Sequence, residues 1–225
     1  MSIITAANIE KSYQRRERTI EVLRGVDFSA DEGEVVVIYG VSGAGKSTLL
    51  HILGTLDLPT SGNLEVCGEK PLECSSSRLN EIRNRYFGFV FQFHYLLQEF
   101  SALENVMMPG MLNRRTDDRT GERARMLLDE VGMSHRSTHR PAELSGGEKQ
   151  RVAVARALMN EPAIVLADEP SGNLDDKNSD LLHALIMRLS REKKQTFVIV
   201  THEKRLISEA DRSFVLEDGL LFERG

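Results

Sequence analysis

"GEVVVIYGVSGAGKST", residues 33–48, is the stretch on which the fold turns. Val35, Val36, Val37 and Ile38 form a short apolar run between glycines with no polar alternation. Such a run reads as a strand covered on both faces, the pattern of a parallel sheet. "KSTLLHILGTL" (46–56) continues at helical spacing and stops at the turn signal "LPTSG" (58–62). A buried strand that passes through a glycine turn straight into a helix is the first half of a strand–helix–strand unit.

Other pieces follow outward from this centre. Upstream, "IITAANIEKSY" (3–13) and "TIEVLRGVDFSA" (19–30) read as strands joined by a charged loop, and downstream "NLEVCG" (63–68) and "FGFVF" (87–91) are further strands. "SALENVMMPGML" (101–112) starts on a capping box, Ser101 with Glu104, and "ERARMLLDEVG" (122–132) is an amphipathic helix ending at a glycine. Buried strands return in "AIVLADEP" (163–170) and "TFVIVTHE" (196–203), with a helix across 178–194 between them. "RSFVLEDGLLFE" (212–223) is a hairpin turning on Asp218-Gly219. The expectation is one α/β domain over 1–225: a parallel-sheet core from 1–92 and 159–225 with an N-terminal antiparallel β subdomain, and a helical subdomain inserted at about 93–158.

Composition excludes some functions. With 29 Lys and Arg against 34 Asp and Glu the net charge is −5, so no overall pull toward nucleic acid is expected. The basic pieces "QRRER" (14–18) and "REKK" (191–194) read as solvated faces. Cys67 and Cys74 do not form a zinc pattern and are compatible with a reducing compartment. The opening lacks the basic and apolar regions of a signal peptide, and no apolar run approaches the ~20 residues of a membrane span. A cytosolic chain is expected, one that reaches a membrane only through a partner.

"GVSGAGKST" (40–48) satisfies the P-loop pattern, with Gly40, Gly45, Lys46 and Ser47 at the required spacing between a buried strand and a helix. Val41, Ser42, Gly43 and Ala44 fill the loop, and Thr48 follows in the first turn. Backbone N–H groups of such a loop turn inward around phosphates, and the positive helix end adds to them. Lys46 would reach the β/γ-phosphates and the Ser47 hydroxyl would bind Mg2+. A P-loop core also needs a carboxylate at a neighbouring strand end, and "IVLADEP" (164–170) supplies Asp168 and Glu169. Asp168 suits the magnesium shell. Glu169, facing the other way if the strand alternation continues, suits a general base acting on water. Two acids there also suit a helix N-cap. His202 ends a third buried strand, where it could bond the γ-phosphate or the attacking water, or serve as a structural histidine.

"ELSGGEKQRVAVARAL" (143–158) poses a separate question. Ser145 and Glu148 make a capping box, yet Gly146 and Gly147 occupy the first turn, at roughly 0.8–1 kcal/mol each against alanine. A serine cap, two bare N–H groups and a positive helix end read as a second phosphate clamp, with an anion directly on Gly146 and Gly147. If that clamp closes over the site of another copy, two chains sandwich two nucleotides head to tail.

On these residues the chain resembles the ATP-binding cassette family. "LSGGEKQR" (144–151) resembles the family's signature motif, which also brings Gln150 to the nucleotide, and the other motifs stand in order around it over nearly the whole chain. The resemblance implies a P-loop NTPase core binding ATP and Mg2+. It implies that Tyr13 stacks on adenine, that Gln92 contacts magnesium beside Ser47 and Asp168, and that Asp175 of "SGNLD" (171–175) lies at a dimer seam. Lys46, Glu169 and His202 would carry catalysis, with Ser145, Gly146 and Gly147 acting on the opposite subunit's nucleotide.

"FQFHYLLQEFSALENVMMPGML" (91–112) is apolar and aromatic through Phe93, Tyr95, Leu96, Leu97 and Phe100, a segment that either fills the helical core or receives a permease. Together with "LADEPSGNLD" (166–175) it is similar to the ATPases of lipoprotein-releasing transporters. That similarity implies a homodimer on the cytoplasmic face of the inner membrane, driving separate transmembrane permease subunits, a heteromeric pair. Macrolide and peptide exporters and the cell-division cassette share much of the pattern. Soluble cassettes of DNA repair or translation form a further class, which usually shows a second cassette or a heptad run.

Overall fold

The computed structural model of the chain describes residues 2–15, 18–112 and 118–224; Arg16 and Glu17, in the first basic stretch above, lie outside them. In chain order the elements are β1 (Ser2–Arg15), β2 (Arg18–Asp31), β3 (Val35–Tyr39), α1 (Lys46–Leu53), β4 (Ser61–Val66), α2 (Ser76–Tyr86), β5 (Phe87–Phe91), α3 (Ala102–Leu112), α4 (Asp118–Glu130), α5 (Gly146–Ala157), β6 (Ile164–Asp168), α6 (Asp176–Lys193), β7 (Thr196–Val200), α7 (Lys204–Glu209), β8 (Arg212–Glu217) and β9 (Leu220–Arg224). One sheet runs β5-β6-β7-β3-β8-β9, parallel except for the final hairpin. The other is antiparallel, in the order β2-β1-β4.

The unbroken apolar runs have a direct explanation in this arrangement. Val35 and Val37 pack into one core with residues of α3 to α6, while Val36 and Ile38 pack into a second with α1 and the antiparallel sheet. All four are fully buried. β6 and β7 divide in the same way, Val165 and Phe197 to the first core, Leu166 and Val198 to the second. Each such side chain contributes about 1.5–3 kcal/mol on burial, so the central strands are the firm part of the molecule. Their carboxyl ends share one edge, the usual place for a site in an open parallel sheet.

Val106, Ala124, Leu128 and Val152, from the helices between β5 and β6, lie in the same core as Val35 and Phe197. α2 was not expected from the sequence. Its eleven residues bury only Ile82, so it shows almost no apolar stripe, and its start is marked only by the Ser75 cap on the Arg78 N–H. The six-residue α7 is equally faint.

Candidate active site

β3 delivers the P-loop. Gly40 has φ 148, and a Cβ there would stand 2.3 Å from the Leu216 carbonyl oxygen of β8, so no side chain fits. Gly45, with φ 102, is the N-cap of α1 and offers no side-chain cap, which leaves the helix N–H groups uncovered. Val41, Ser42 and Gly43 are exposed, with Ala44 half-buried behind them. The Lys46 ammonium folds back on the loop and donates to the carbonyls of Gly40 (2.9 Å) and Val41 (3.0 Å). The carbonyl oxygens there stand where a more strongly negative group would compete for the same charge.

β6 and β7 bring the acids and the histidine to this edge. Ser47 Oγ donates to Asp168 Oδ1 at 3.1 Å, so the P-loop serine and the strand-end aspartate touch across 121 residues of sequence. Burial pushes the Asp168 carboxyl above the usual carboxylate range, partly offset by the Ser47 bond. A desolvated carboxylate beside a hydroxyl is a group that gains from a cation. Among the described residues no three acidic, histidine or cysteine side chains converge as a metal cluster. Ser47 Oγ and Asp168 Oδ1 are hard oxygen donors of the kind that suit magnesium.

Glu169 is not oriented by strand alternation. It sits one residue past β6 with φ 45, its N–H donating to the Val200 carbonyl (2.8 Å). This left-handed step, rather than the pleat, turns its carboxylate toward His202, whose Nδ1 lies 3.0 Å from Oε2 and 3.1 Å from Oε1. The His202 side chain is 69% exposed, so the pair faces solvent on one side.

Tyr13 projects from β1 toward the same end. Its phenol donates to Asp57 Oδ2 (2.7 Å) and is also bonded by the Thr48 hydroxyl. Burial and the Asp57 carboxylate raise its pKa, so the phenol stays neutral. The residue is 42% exposed, leaving ring surface open. Asp57 also holds Lys11 at 2.8 Å and thereby fixes the aromatic beside the P-loop helix. The sequence alone gave no indication of Asp57.

Gln92 follows β5. Its Nε2 donates to Asn173 Oδ1 (3.2 Å), and Asn173 Nδ2 donates back to the Gln92 carbonyl (3.3 Å). Asp175 caps α6, accepting from the Asn178 N–H (2.8 Å) and from Asn178 Nδ2 (3.0 and 2.9 Å). Asn173 and Asn178 were both missed from sequence, although Asp175 with Asn178 three residues on is a cap pattern that could have been read.

The two glycines at the start of α5 separate sharply. The Ser145–Glu148 capping box forms as expected, the Glu148 N–H reaching Ser145 Oγ (3.3 Å) and the Ser145 N–H reaching Glu148 Oε2 (2.7 Å). A Cβ on buried Gly147 would lie 2.4 Å from Asn178 Oδ1, so a side chain there would have to displace the Asn178 amide of the same chain. A Cβ on exposed Gly146 would meet only Leu174 Cδ2 at 3.5 Å, an ordinary contact. Gln150 departs from the expectation. It is fully buried, three residues on from Gly147 on the same helix face, with Nε2 toward the Phe91 carbonyl (3.5 Å). It therefore packs α5 against the Phe91 end of β5 and does not reach the surface where Ser145 and Gly146 lie.

Beyond Gln92 the chain makes two left-handed steps, His94 (φ 61) and Tyr95 (φ 47), whose carbonyls both accept from Arg156 of α5 at 2.6 Å. Of the five apolar residues singled out here, only Leu96 enters the core; Phe93, Tyr95, Leu97 and Phe100 are exposed. Buried Asn105 holds this loop through the backbone of Leu97, Phe100 and Ser101. Phe87, Phe89, Phe91 and Tyr95 follow one another at ring-centroid spacings of 6.0, 6.0 and 5.3 Å. With Pro109 and Leu112 they line a groove of about 760 Å³.

The sequence and the fold both match known proteins. The family profile described as ABC transporter matches residues 23–172, about two thirds of the chain. The lipoprotein-releasing system ATP-binding protein LolD of Porphyromonas gingivalis is 53% identical over 220 residues, covering 98% of this chain and 99% of that protein. LolD of Shewanella frigidimarina is 48% identical, covering 98% and 92%. Among solved structures, the dimeric post-hydrolysis state of the ATP-binding cassette MJ0796 bound to ADP and Pi superposes with a TM-score of 0.90 at 37% identity, covering 99% of both chains. The dimeric MJ0796 cassette, at 38% identity, gives 0.89. The chain belongs to the ABC transporter family, as one of its ATPase subunits.

Proposed function

We propose that this chain hydrolyses ATP for a lipoprotein-releasing transporter, acting as a homodimer bound to a heteromeric pair of transmembrane permease subunits at the cytoplasmic face of the inner membrane. The observation that carries the ATPase chemistry is the meeting of Ser47 with Asp168 and of Glu169 with His202 along one sheet edge. The cargo rests on the relatives: proteins about half identical over nearly their whole length bear the lipoprotein-releasing name; the pairing of the permease subunits is carried over from the family resemblance. Among the described residues no helix is long and apolar enough to cross a membrane.

Phosphate oxygens would replace the Gly40 and Val41 carbonyls as partners of Lys46, within the backbone cradle of residues 40–48. A magnesium ion at this edge would supply positive charge against the negative charge that develops on the transferred phosphoryl group. Ser47, Asp168 and the Gln92 amide oxygen would hold it. Glu169 accepts a proton from the attacking water, and His202 holds that carboxylate in place. Tyr13 offers its ring to the base. Because Gly146 is bare for no reason inside its own chain, the close approach it permits comes from another copy, whose γ-phosphate would meet Ser145 and Gly146. Asp175 caps α6 beside that seam. The aromatic groove next to Gln92 suits a permease helix, and Arg156 ties the wall of that groove to α5. The helical segment, about 93–158, would then move as the coupling subdomain on the 1–92 and 159–225 core.

The test is recovery of partners from native membranes with tagged Glu169→Gln protein and ATP. Two different permease subunits together with lipoproteins are the expected result. A single exporter-type permease or a division complex would replace the cargo assignment, and only soluble partners would overturn the membrane role. A second check mixes an inactive Ser145→Arg protein with an inactive Lys46→Ala protein. Partial recovery of ATPase activity is expected from sites shared between subunits, and no recovery at any ratio would exclude the shared site.

A further inference from the structure

A carboxamide has two ends of nearly equal shape and opposite chemistry: the oxygen accepts and can bind a cation, while the NH2 group only donates. Gln92 can serve a cation only if its oxygen faces the ion. In this structure the choice is made by a neighbour in the 171–175 loop. A backbone carbonyl cannot turn round, so at the Gln92 carbonyl Asn173 must present Nδ2, and does, at 3.3 Å. That leaves Asn173 Oδ1 facing the Gln92 side chain, where it can only accept, and Gln92 answers with Nε2 at 3.2 Å. Gly172 keeps the approach close: a Cβ there would stand 3.0 Å from the same Nε2. With Nε2 committed to Asn173, the other end of the amide is Oε1. The order of donors and acceptors is therefore dictated from a main-chain atom outward.

We propose that Asn173 is a positioning residue that sets the polarity of the Gln92 amide, presenting Oε1 rather than NH2 to the cation. This rests on the reading of Gln92 as a magnesium ligand. Partners of this kind typically change metal affinity by roughly 10–100-fold when removed. Because the lock matters only for a group with unlike ends, a carboxylate in place of the amide should make it irrelevant.

The experiment follows ATP-driven dimerisation by light scattering in the Glu169→Gln protein while Mn2+ is titrated. Asn173→Ala should raise the half-saturating Mn2+ about tenfold. The same change in the Gln92→Glu background should leave it within about twofold, since both oxygens of a carboxylate serve equally. Asn173→Leu, which keeps the bulk, gives the same pair of answers if alanine loosens the loop. An equal effect in both backgrounds would make Asn173 a merely structural part of its loop, and no effect in either would remove it from the site. Gln92→Ala is run beside them. If that change leaves the Mn2+ requirement untouched, the reading of Gln92 as a ligand fails and this proposal falls with it; if it raises the requirement while Asn173→Ala does not, only the proposal falls.

Discussion

Two helices in this protein begin on glycines, and they do so for different reasons. At α1 the cap is Gly45, which offers no side chain to its helix, and Gly40 is required by the Leu216 carbonyl of the same chain. The N–H groups of this end receive no side-chain cap, the arrangement that suits an anion. At α5 the cap is Ser145, which closes a full capping box with Glu148. Gly147 is required by Asn178 of the same chain, whereas Gly146 is required by nothing within it. One end therefore binds through its own unmet hydrogen bonds. The other is stable by itself and keeps a single open face for something brought from outside. The shared motif of glycines ahead of a helix hides a difference in packing, and the proposed function reads it as binding within the chain at one end and across a dimer at the other.

The strongest test of the first end is chemical. Glu169→Gln should retain ATP and lower turnover by roughly 10²–10⁴-fold, the usual worth of a general base, measured by phosphate release beside nucleotide binding. Near-normal turnover would remove Glu169 as the general base. Lys46→Ala should weaken nucleotide binding itself, read by titration with a fluorescent ATP analogue.

The two glycines of α5 then divide the second end. Gly146→Ala should leave the isolated chain as stable as before, or more so by about 0.8–1 kcal/mol from helix propensity. Yet it should weaken ATP-driven dimerisation, where overpacking costs ~1–3 kcal/mol. Gly147→Ala should do its damage earlier, lowering thermal stability by about 1–3 kcal/mol as the new Cβ displaces Asn178. If both substitutions fall on stability alike, or both on dimerisation alike, the distinction drawn here is wrong. Thermal melts and light scattering on the same samples decide it.

The smallest effect concerns the loop that runs between the two ends. His183 of α6 is buried, with Nε2 3.1 Å from Ser171 Oγ. Burial holds its pKa below the ordinary value, against weaker pulls from Glu203 and Asp180. A histidine depressed in the folded state takes its proton first in the unfolded chain. Stability is therefore complete above about pH 6.5 and declines as the pH falls through and below that value. His183→Met should flatten that part of the stability profile. A slope that survives the substitution would assign the acid sensitivity to other groups.

Much of this molecule was legible in the order of its residues. The Val35–Ile38 run, the P-loop after it, the "IVLADEP" strand end and the Ser145–Glu148 box each declare themselves within a few positions, because buried strands, tight turns and helix caps are local physics. The opposite was true of α2, which buries only Ile82 and so carries no periodic signal. It was true as well of Asp57, Asn173 and Arg156, polar residues whose meaning lies in a partner distant in sequence. Even the orientation of Glu169 depends on a left-handed backbone step bonded to Val200 of the next strand, where strand alternation had suggested another cause. Gln150 shows the reverse error: a motif neighbour that helical geometry turns into the core.

By itself, then, the sequence determined which segments become strands, helices and caps, and which side chains carry charge or a hydroxyl to the sheet edge. Only the tertiary structure decided which glycine of α5 is crowded by its own chain and which stands open, and which polar side chains meet across the fold. Those are questions of what stands within a few ångströms, and packing between distant segments is what brings those neighbours there.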